Sequence, residues 1–133
     1  MKKRLIPVFF CLVNLVFVIA GSTAHAWLVE RASLTNSGGQ AQNYMGSDRP
    51  SISNDGRYVA FVSRATNLVA DDTNGQDDIF FRDRKSGTTV RVNLDTSGNQ
   101  LTGYGTYYAR LSGNGKMVAF ATQAGGVVPG ATA

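Results

Sequence analysis

The sequence predicts an all-β fold assembled from four-stranded antiparallel units. Three observations carry this expectation. The phrase SNDGRYVAF (53–61) returns as SGNGKMVAF (112–120). Between the copies lie short β-branched and aromatic runs separated by Gly, Asn and Asp turn signals, the pattern of strands. No long helical periodicity occurs after residue 26.

The repeat has two offsets. Sliding the chain by 59 residues sets Ser53 on Ser112, Gly56 on Gly115, Val59 on Val118, Ala60 on Ala119 and Phe61 on Phe120. Sliding it by 60 sets Arg31 on Arg91, Leu34 on Leu94, Ser37 and Gly38 on Ser97 and Gly98, Gln40 on Gln100 and Tyr44 on Tyr104. A one-residue gap within 45–49 joins the two, with Arg49 falling on Ala109. Order kept at both ends marks a true internal repeat, the signature of a modular array. One full unit covers about 30–89, and a second, about two-thirds complete, runs from Val90 to Ala133.

Each element of the unit has a local cause. RPSIS (49–53) is a short first strand, with Pro50 confined to a strand start or edge. Asn54-Asp55-Gly56 predicts a tight turn in which Gly56 takes a positive φ and Asp55 bonds nearby backbone; Asn114 and Gly115 form its counterpart. RYVAFVS (57–63) is apolar on both faces, Tyr58, Ala60 and Val62 on one and Val59 and Phe61 on the other, so both faces should be covered. Phe61 and Phe120 are then core residues at equivalent places. A polar loop leads into the third strand, IFFRDR (79–84), and Lys85-Ser86-Gly87 turns the chain into the fourth, TTVRVNLD (88–95). There Thr88, Val90, Val92 and Leu94 alternate with Thr89, Arg91 and Asn93, giving one packed face and one wetter face. WLVERASL (27–34) matches the fourth strand, so the repeat array opens on the last strand of a unit. Four antiparallel strands per unit, stacked face to face, describe the blades of a β-propeller, here a partial one.

Residues 1–26 stand apart. Lys2, Lys3 and Arg4 precede an apolar run at 5–20, and Ala24-His25-Ala26 supplies a small-x-small site. This is the pattern of a helical secretory signal peptide cleaved before Trp27. The run is shorter than the roughly 20 apolar residues of a membrane span. Cys11, preceded by Phe9 and Phe10 inside that run, does not suit a lipoprotein. Export to the periplasm or medium follows, with no membrane contact after cleavage. The expected organisation is 1–26 signal peptide, 27–49 last strand of a preceding blade plus crossing loop, 50–95 complete blade and 96–133 incomplete blade. The processed 107 residues lose the only cysteine and the only histidine, Cys11 and His25. Ten Lys and Arg against nine Asp and Glu leave a net charge of +1, in place of +4 for the whole chain. No basic field remains to draw nucleic acid.

Pro50-x-x-Ser53-x-Asp55-Gly56-Arg57-x-Val59-Ala60-Phe61, then TNLVADDTNG, DDIFFRDRKSGTT and VRVNLDTSG, resembles the TolB-like β-propeller repeat of bacterial envelope and secreted proteins. The resemblance covers the processed chain and is most specific over 50–98. It implies a six- to eight-bladed ring used for binding, in a family that also includes propellers attached to peptidases. The second copy departs from it: Asn114 stands at the turn Asp, Met117 at the aromatic, and GGVVPGATA (125–133) at the polar loop.

Catalytic chemistry finds few residues to work with. Without His or Cys after residue 26, neither a Ser-His-Asp nor a Cys-His arrangement is available, nor an imidazole or thiolate metal site. Asp71-Asp72 and Asp77-Asp78 are the carboxylate clusters, both in one Gly- and Asn-rich loop, a poor place to raise a carboxyl pKa by burial. The expectation is a protein without enzymatic activity. Asp72, Asn74, Asp77 and Asp78 are candidate oxygen ligands for calcium, but the EF-type spacing fails at Ala70 and Phe81, and a turn held by side-chain bonds is the competing reading. No cofactor is otherwise expected. In GYGTYYAR (103–110), Tyr104, Tyr107, Tyr108 and Arg110 are candidates for gripping a peptide, protein or glycan, against simple packing between blades.

The expected function is an exported, non-catalytic binding or assembly module. Alternatives are the propeller of a secreted hydrolase or peptidase whose catalytic domain lies elsewhere, and a calcium-stabilised structural repeat. One and a half blades cannot cover their own apolar faces, so self-association or further blades are expected in place of a well-behaved monomer. The signal peptide is directly testable. The intact mass of the exported product should correspond to Trp27 as first residue, and a product retaining Met1 in the membrane contradicts the assignment.

Overall fold

The computed structural model of the protein describes residues 16–17, 29–42, 46–101, 105–125 and 127. Every regular element among them is a strand: β1 Val16–Phe17, β2 Val29–Glu30, β3 Ser47–Ile52, β4 Tyr58–Ser63, β5 Asp78–Asp83, β6 Thr88–Arg91, β7 Thr106–Leu111 and β8 Val118–Thr122. β3 to β6 form one antiparallel sheet in chain order, β7 and β8 form a second, and β1 pairs with β2. Of the segment expected to be a helical signal peptide, Val16–Phe17 alone is described, and it is extended, paired with Val29–Glu30. The first strand begins at Ser47, two residues before the expected start, because the chain pairs with Val62 and Ser63 ahead of a bulge. The fourth closes at Arg91, short of the expected Asp95.

The repeated phrase is repeated geometry. The Ser53 hydroxyl lies 2.5 Å from Asp55 Oδ1, and that oxygen accepts the Arg57 amide at 3.0 Å. The Tyr58 amide donates to Ser53 Oγ and the Ser53 amide to the Tyr58 carbonyl, both at 3.0 Å. In the second copy Ser112, Asn114, Lys116 and Met117 make the same four bonds at 2.8 to 3.1 Å. Asn114 serves as well as Asp because its carbonyl oxygen is the acceptor used. Gly56 and Gly115 sit at φ 70° and 71°, the left-handed region that disfavours any side chain. At Gly115 a Cβ would also lie 2.2 Å from the Tyr58 ring of the other sheet, so this turn is pressed against its neighbour.

β4 pairs along its whole length with β5, from Tyr58 opposite Asp83 to Ser63 opposite Asp78. Its side chains enter two separate cores. Val59 and Phe61 join Phe80, Ala65 and Leu68, and Ala32 of the segment 29–42 covers them. Phe61 stacks on Phe80 with ring centres 5.8 Å apart. On the opposite face Ala60, Val62 and Ile79 meet Ala109, with Val92, Leu111, Val118 and Phe120 at the margin. The sheet is therefore sandwiched between the segment 29–42 and the β7–β8 pair, as two-sided apolar patterning requires.

Hydrogen bonds fix both junctions. Arg82 Nη1 donates to the Leu34 and Thr35 carbonyls at 3.2 and 3.1 Å, and Thr89 Oγ1 donates to the Leu34 carbonyl at 2.6 Å. On the other side the Asn54 amide donates to the Gly113 carbonyl, and the Leu111 amide to Ser51 Oγ. The turn Leu34 to Gln40 recurs as Leu94 to Gln100, each closed by a bridge between its end residues.

The faces of β6 and its extension run against the hydropathy reading. Thr89, Arg91 and Asn93 are buried, whereas Val90 is 42% exposed. The polar side chains go inside because each finds hydrogen-bond partners there, which offset much of the cost of burial. Phe120 differs from its counterpart as well. Phe61 is buried, while Phe120 is half-buried with its neighbours Ala119 and Ala121 exposed. The two phenylalanines should separate in a stability measurement. Phe61→Ala is expected to cost about 3–5 kcal/mol, the range for a buried Phe, and Phe120→Ala distinctly less. Denaturant unfolding of both variants checks this, and equal losses contradict the asymmetry.

Candidate functional site

Two assemblies of polar side chains stand out. The first lies where the edge strand β3 adjoins β7 of the second sheet. Each strand carries one extra residue as a bulge, between Asp48 and Ser51 and between Thr106 and Tyr108. Their ends match at an offset of 59: Ser47 pairs with Ser63 as Thr106 does with Thr122, and Ile52 with Val59 as Leu111 does with Val118. Counted from those ends, Tyr108 falls on Arg49, but the bulges sit differently: Tyr108 is paired opposite Ala121 as Asp48 is opposite Val62, and Ala109 stands opposite Phe120 where Arg49 and Pro50 bulge at Phe61.

Arg49 and Tyr108 meet across the two sheets. The Arg49 guanidinium lies over the Tyr108 ring, 5.0 Å from its centre, and Arg49 Nε stands 3.7 Å from the Asp48 carboxylate. Arg49 sits at φ 50°, a left-handed conformation that costs a non-glycine residue about 1–3 kcal/mol. Tyr108 is 60% exposed, and Arg110 beside it is exposed too, its Nη1 reaching the Ala109 carbonyl at 3.3 Å. The patch thus offers a phenol ring braced by one guanidinium, a second guanidinium, and the edge strand of the four-stranded sheet. Such groups stack on flat ligand faces and bind carboxylates.

The second assembly is a buried polar knot between the acidic loop and the crossing segment. The Asn93 side chain accepts the Ile79 amide at 2.9 Å and donates to Asp78 Oδ1 at 2.5 Å. Gln100 Nε2 donates to Asp72 Oδ1 at 3.1 Å and to Asp78 Oδ2 at 2.9 Å, so one amide group bridges two carboxylates. Its own Oε1 accepts the Thr73 amide and lies 3.2 Å from the Thr73 hydroxyl. Arg91, buried, has Nη2 2.9 Å from Asp71 Oδ2 and Nη1 3.8 Å from Asp78 Oδ2. Asp72 Oδ2 is buried without a hydrogen-bond partner.

The sequence candidates divide accordingly. Asp72 and Asp78 come together, through Gln100. Asn74 caps the crossing by donating to the Leu101 carbonyl at 3.1 Å, and Asp77 pairs with Arg64 at 3.5 Å, so neither joins them. Burial of these carboxyls was not expected of a Gly- and Asn-rich loop; it follows from the crossing segment folding over that loop. Tyr108 and Arg110 lie in the exposed patch. Tyr107 is placed in β7 by its backbone alone, and Tyr104 lies outside the described residues. Asp55, Gly56, Asn114 and Gly115 form the two turns as expected. Sequence reasoning gave no role to Arg49, Arg91, Asn93 or Gln100. The match of Arg31 and Gln40 to Arg91 and Gln100 was the available signal, because matching polar residues at a unit junction point to shared bonds.

Comparison of the chain with protein-family models, with curated proteins and with solved structures finds no match. The class that the fold defines is accordingly architectural: an all-β chain of antiparallel four- and two-stranded sheets.

Burial pushes the carboxyls of Asp78 and Asp72 above the ordinary range, against the pull of the Asn93 and Gln100 amides. The Arg57 guanidinium holds Asp83 well below that range, and the Ser53 hydroxyl lowers Asp55. The two groups act in opposite directions. A carboxyl with a raised folded pKa adds stability as pH falls through that pKa, the gain being complete below the unfolded value of about 4. A carboxyl with a lowered folded pKa contributes above about pH 4 and loses its contribution as pH falls further, through the folded pKa. Stability should rise from neutral into mild acid and drop below about pH 4. Asp72→Asn keeps an oxygen for Gln100 and removes the buried charge. It is expected to raise the denaturation midpoint at pH 7 and flatten the acid rise; a lower midpoint with the rise intact contradicts it.

Proposed function

We propose that this chain is an exported, non-catalytic β-propeller module of the TolB-like type, working in binding and assembly. The observation that carries the reading is the covering of the β3–β6 sheet on both faces by segments that repeat its own turns and strands. Units related by a 59- or 60-residue step and packed face to face are what radial stacking of blades requires. In such a ring the first strand of each blade lies nearest the axis. β3 and β7 are those strands, so Arg49, Tyr108 and Arg110 line the axial opening and meet an extended peptide or glycan there. The signal-like segment 1–26 supports delivery of the module to the envelope or medium.

Electron microscopy of the product purified from its host tests this. Class averages are expected to show a ring with an axial opening, whether closed by copies of this chain or by further blades of the same polypeptide. A linear stack of sheets, or a layered particle without an axis, overturns the proposal.

A further inference from the structure

Within the described unit, three residues of the fourth-strand region hold the third strand and its acidic loop: Arg91, Asn93 and Gln100. Their counterparts by the 60-residue step are Arg31, Ser33 and Gln40. Arg91 bonds Asp71 and faces Asp78, Asn93 binds both Asp78 and the Ile79 amide, and Gln100 ties Asp72 to Asp78. No carboxylate stands against Arg31, Ser33 or Gln40 among the described residues. Arg31 Nη1 instead donates to Gln40 Oε1 at 2.8 Å, and the adjoining Glu30 is engaged with Arg84. Ser33 is 4% exposed, and its hydroxyl is buried with no hydrogen-bond partner. Ala32, between them, faces the core of the β3–β6 sheet. Arg31 and Ser33 hold the repeat places of Arg91 and Asn93, the two residues that meet the acidic loop within the described unit.

The adjoining edge already accepts a strand in the right register. Phe81 and Arg82 of β5 stand opposite Val90 and Thr89 of β6. Val16 and Phe17 stand opposite Glu30 and Val29, which are the counterparts of Val90 and Thr89. An apolar strand there satisfies the edge but brings no aspartate to the arginine, the hydroxyl or the amide.

We propose that Arg31, Ser33 and Gln40, with the edge of β2, form a socket for the acidic loop and third strand of another repeat unit. The occupant is an extended segment of the type Asp-x5-Asp-Ile-Phe-Phe, with aspartates spaced as Asp72 and Asp78. Its carboxylates pair with Arg31 and the Gln40 amide, its backbone meets Ser33 Oγ, and its strand takes by β-augmentation the edge of β2 that Val16–Phe17 holds here and that cleavage before Trp27 vacates. The inference rests on the reading of the chain as stacked repeat units, and it names the residues through which one unit recruits the next.

The test uses the chain as its host exports it and a fluorescent peptide of residues 70–84. Saturable binding by anisotropy is expected. A peptide with both Asp72→Asn and Asp78→Asn should bind about tenfold more weakly, as the loss of charge-assisted bonds predicts. Arg31→Ala in the protein should weaken the native peptide to a similar degree. Gln40→Ala, at an exposed position, should weaken it as well, while Lys116→Ala, the loss of a positive charge elsewhere, should not. Equal binding of both peptides, indifference to Arg31→Ala and Gln40→Ala, or no binding near millimolar peptide overturns the socket. A ring in micrographs with no peptide discrimination defeats the socket alone. Aspartate-dependent binding by a particle without a ring defeats the propeller and leaves the socket standing.

Discussion

Tyr58–Ser63 carries apolar side chains on both sides, and a strand of that kind is stable only where two separate surfaces come to meet it. Val59 and Phe61 go one way and Ala60 and Val62 the other, each buried. At about 25 cal/mol per Å² of apolar surface removed from water, neither set can be left exposed without a large loss. The segment 29–42 and the β7–β8 pair are therefore obligatory neighbours of this sheet. The dependence also runs outward. β8 repeats the sequence of β4, but its Ala119 and Ala121 stay exposed where Ala60 and Val62 are covered. The same strand chemistry that closes one side of the sandwich leaves an equivalent demand on the next.

Apolar contact alone would let the layers slide, because burial is indifferent to register. The polar contacts remove that freedom. Ser51 Oγ takes the Leu111 amide and the Gly113 carbonyl takes the Asn54 amide, so β7 is fixed along β3. Tyr58 lies so close to Gly115 that a methyl group has no room. On the opposite face Arg82 and Thr89 converge on the carbonyls of Leu34 and Thr35. The charge of Arg82 is paid for by several acceptors, though burial still draws its pKa down. Specificity of stacking thus resides in a few hydrogen bonds laid over a permissive apolar contact.

How much of this could be read from the residues depends on range. The Ser53 and Ser112 turns were legible because their bonds span at most five residues and need one glycine at positive φ. The two-sided strand was legible because alternation is a property of the backbone itself. The burial of Arg91 and Asn93 was not, since their partners lie 14 to 20 residues away in a loop whose composition suggests exposure. Likewise the contact of Arg49 with Tyr108 was not legible. The one-residue gap can be placed anywhere in 45–49 on residue identity, and the paired ends of the bulged strands alone decide it.

The contact between Arg49 and Tyr108 changes what the patch means. The arginine lies over a ring of the second sheet and beside the Asp48 carboxylate, so it ties the two sheets together at their edge. Arg49 stands in the bulge of β3 and Tyr108 at a paired position next to the bulge of β7, and the packing of the two strands brings them into stacking distance. A bulge re-aims a side chain at the cost of a ladder position, and Arg49 adds a left-handed backbone to that cost. Neither expense helps the cores, which are built from the strand residues on either side. The pairs on either side of each bulge keep the same register, Ser47–Ser63 with Thr106–Thr122 and Ile52–Val59 with Leu111–Val118, while the side chains displayed between them differ, a guanidinium in one and a phenol in the other.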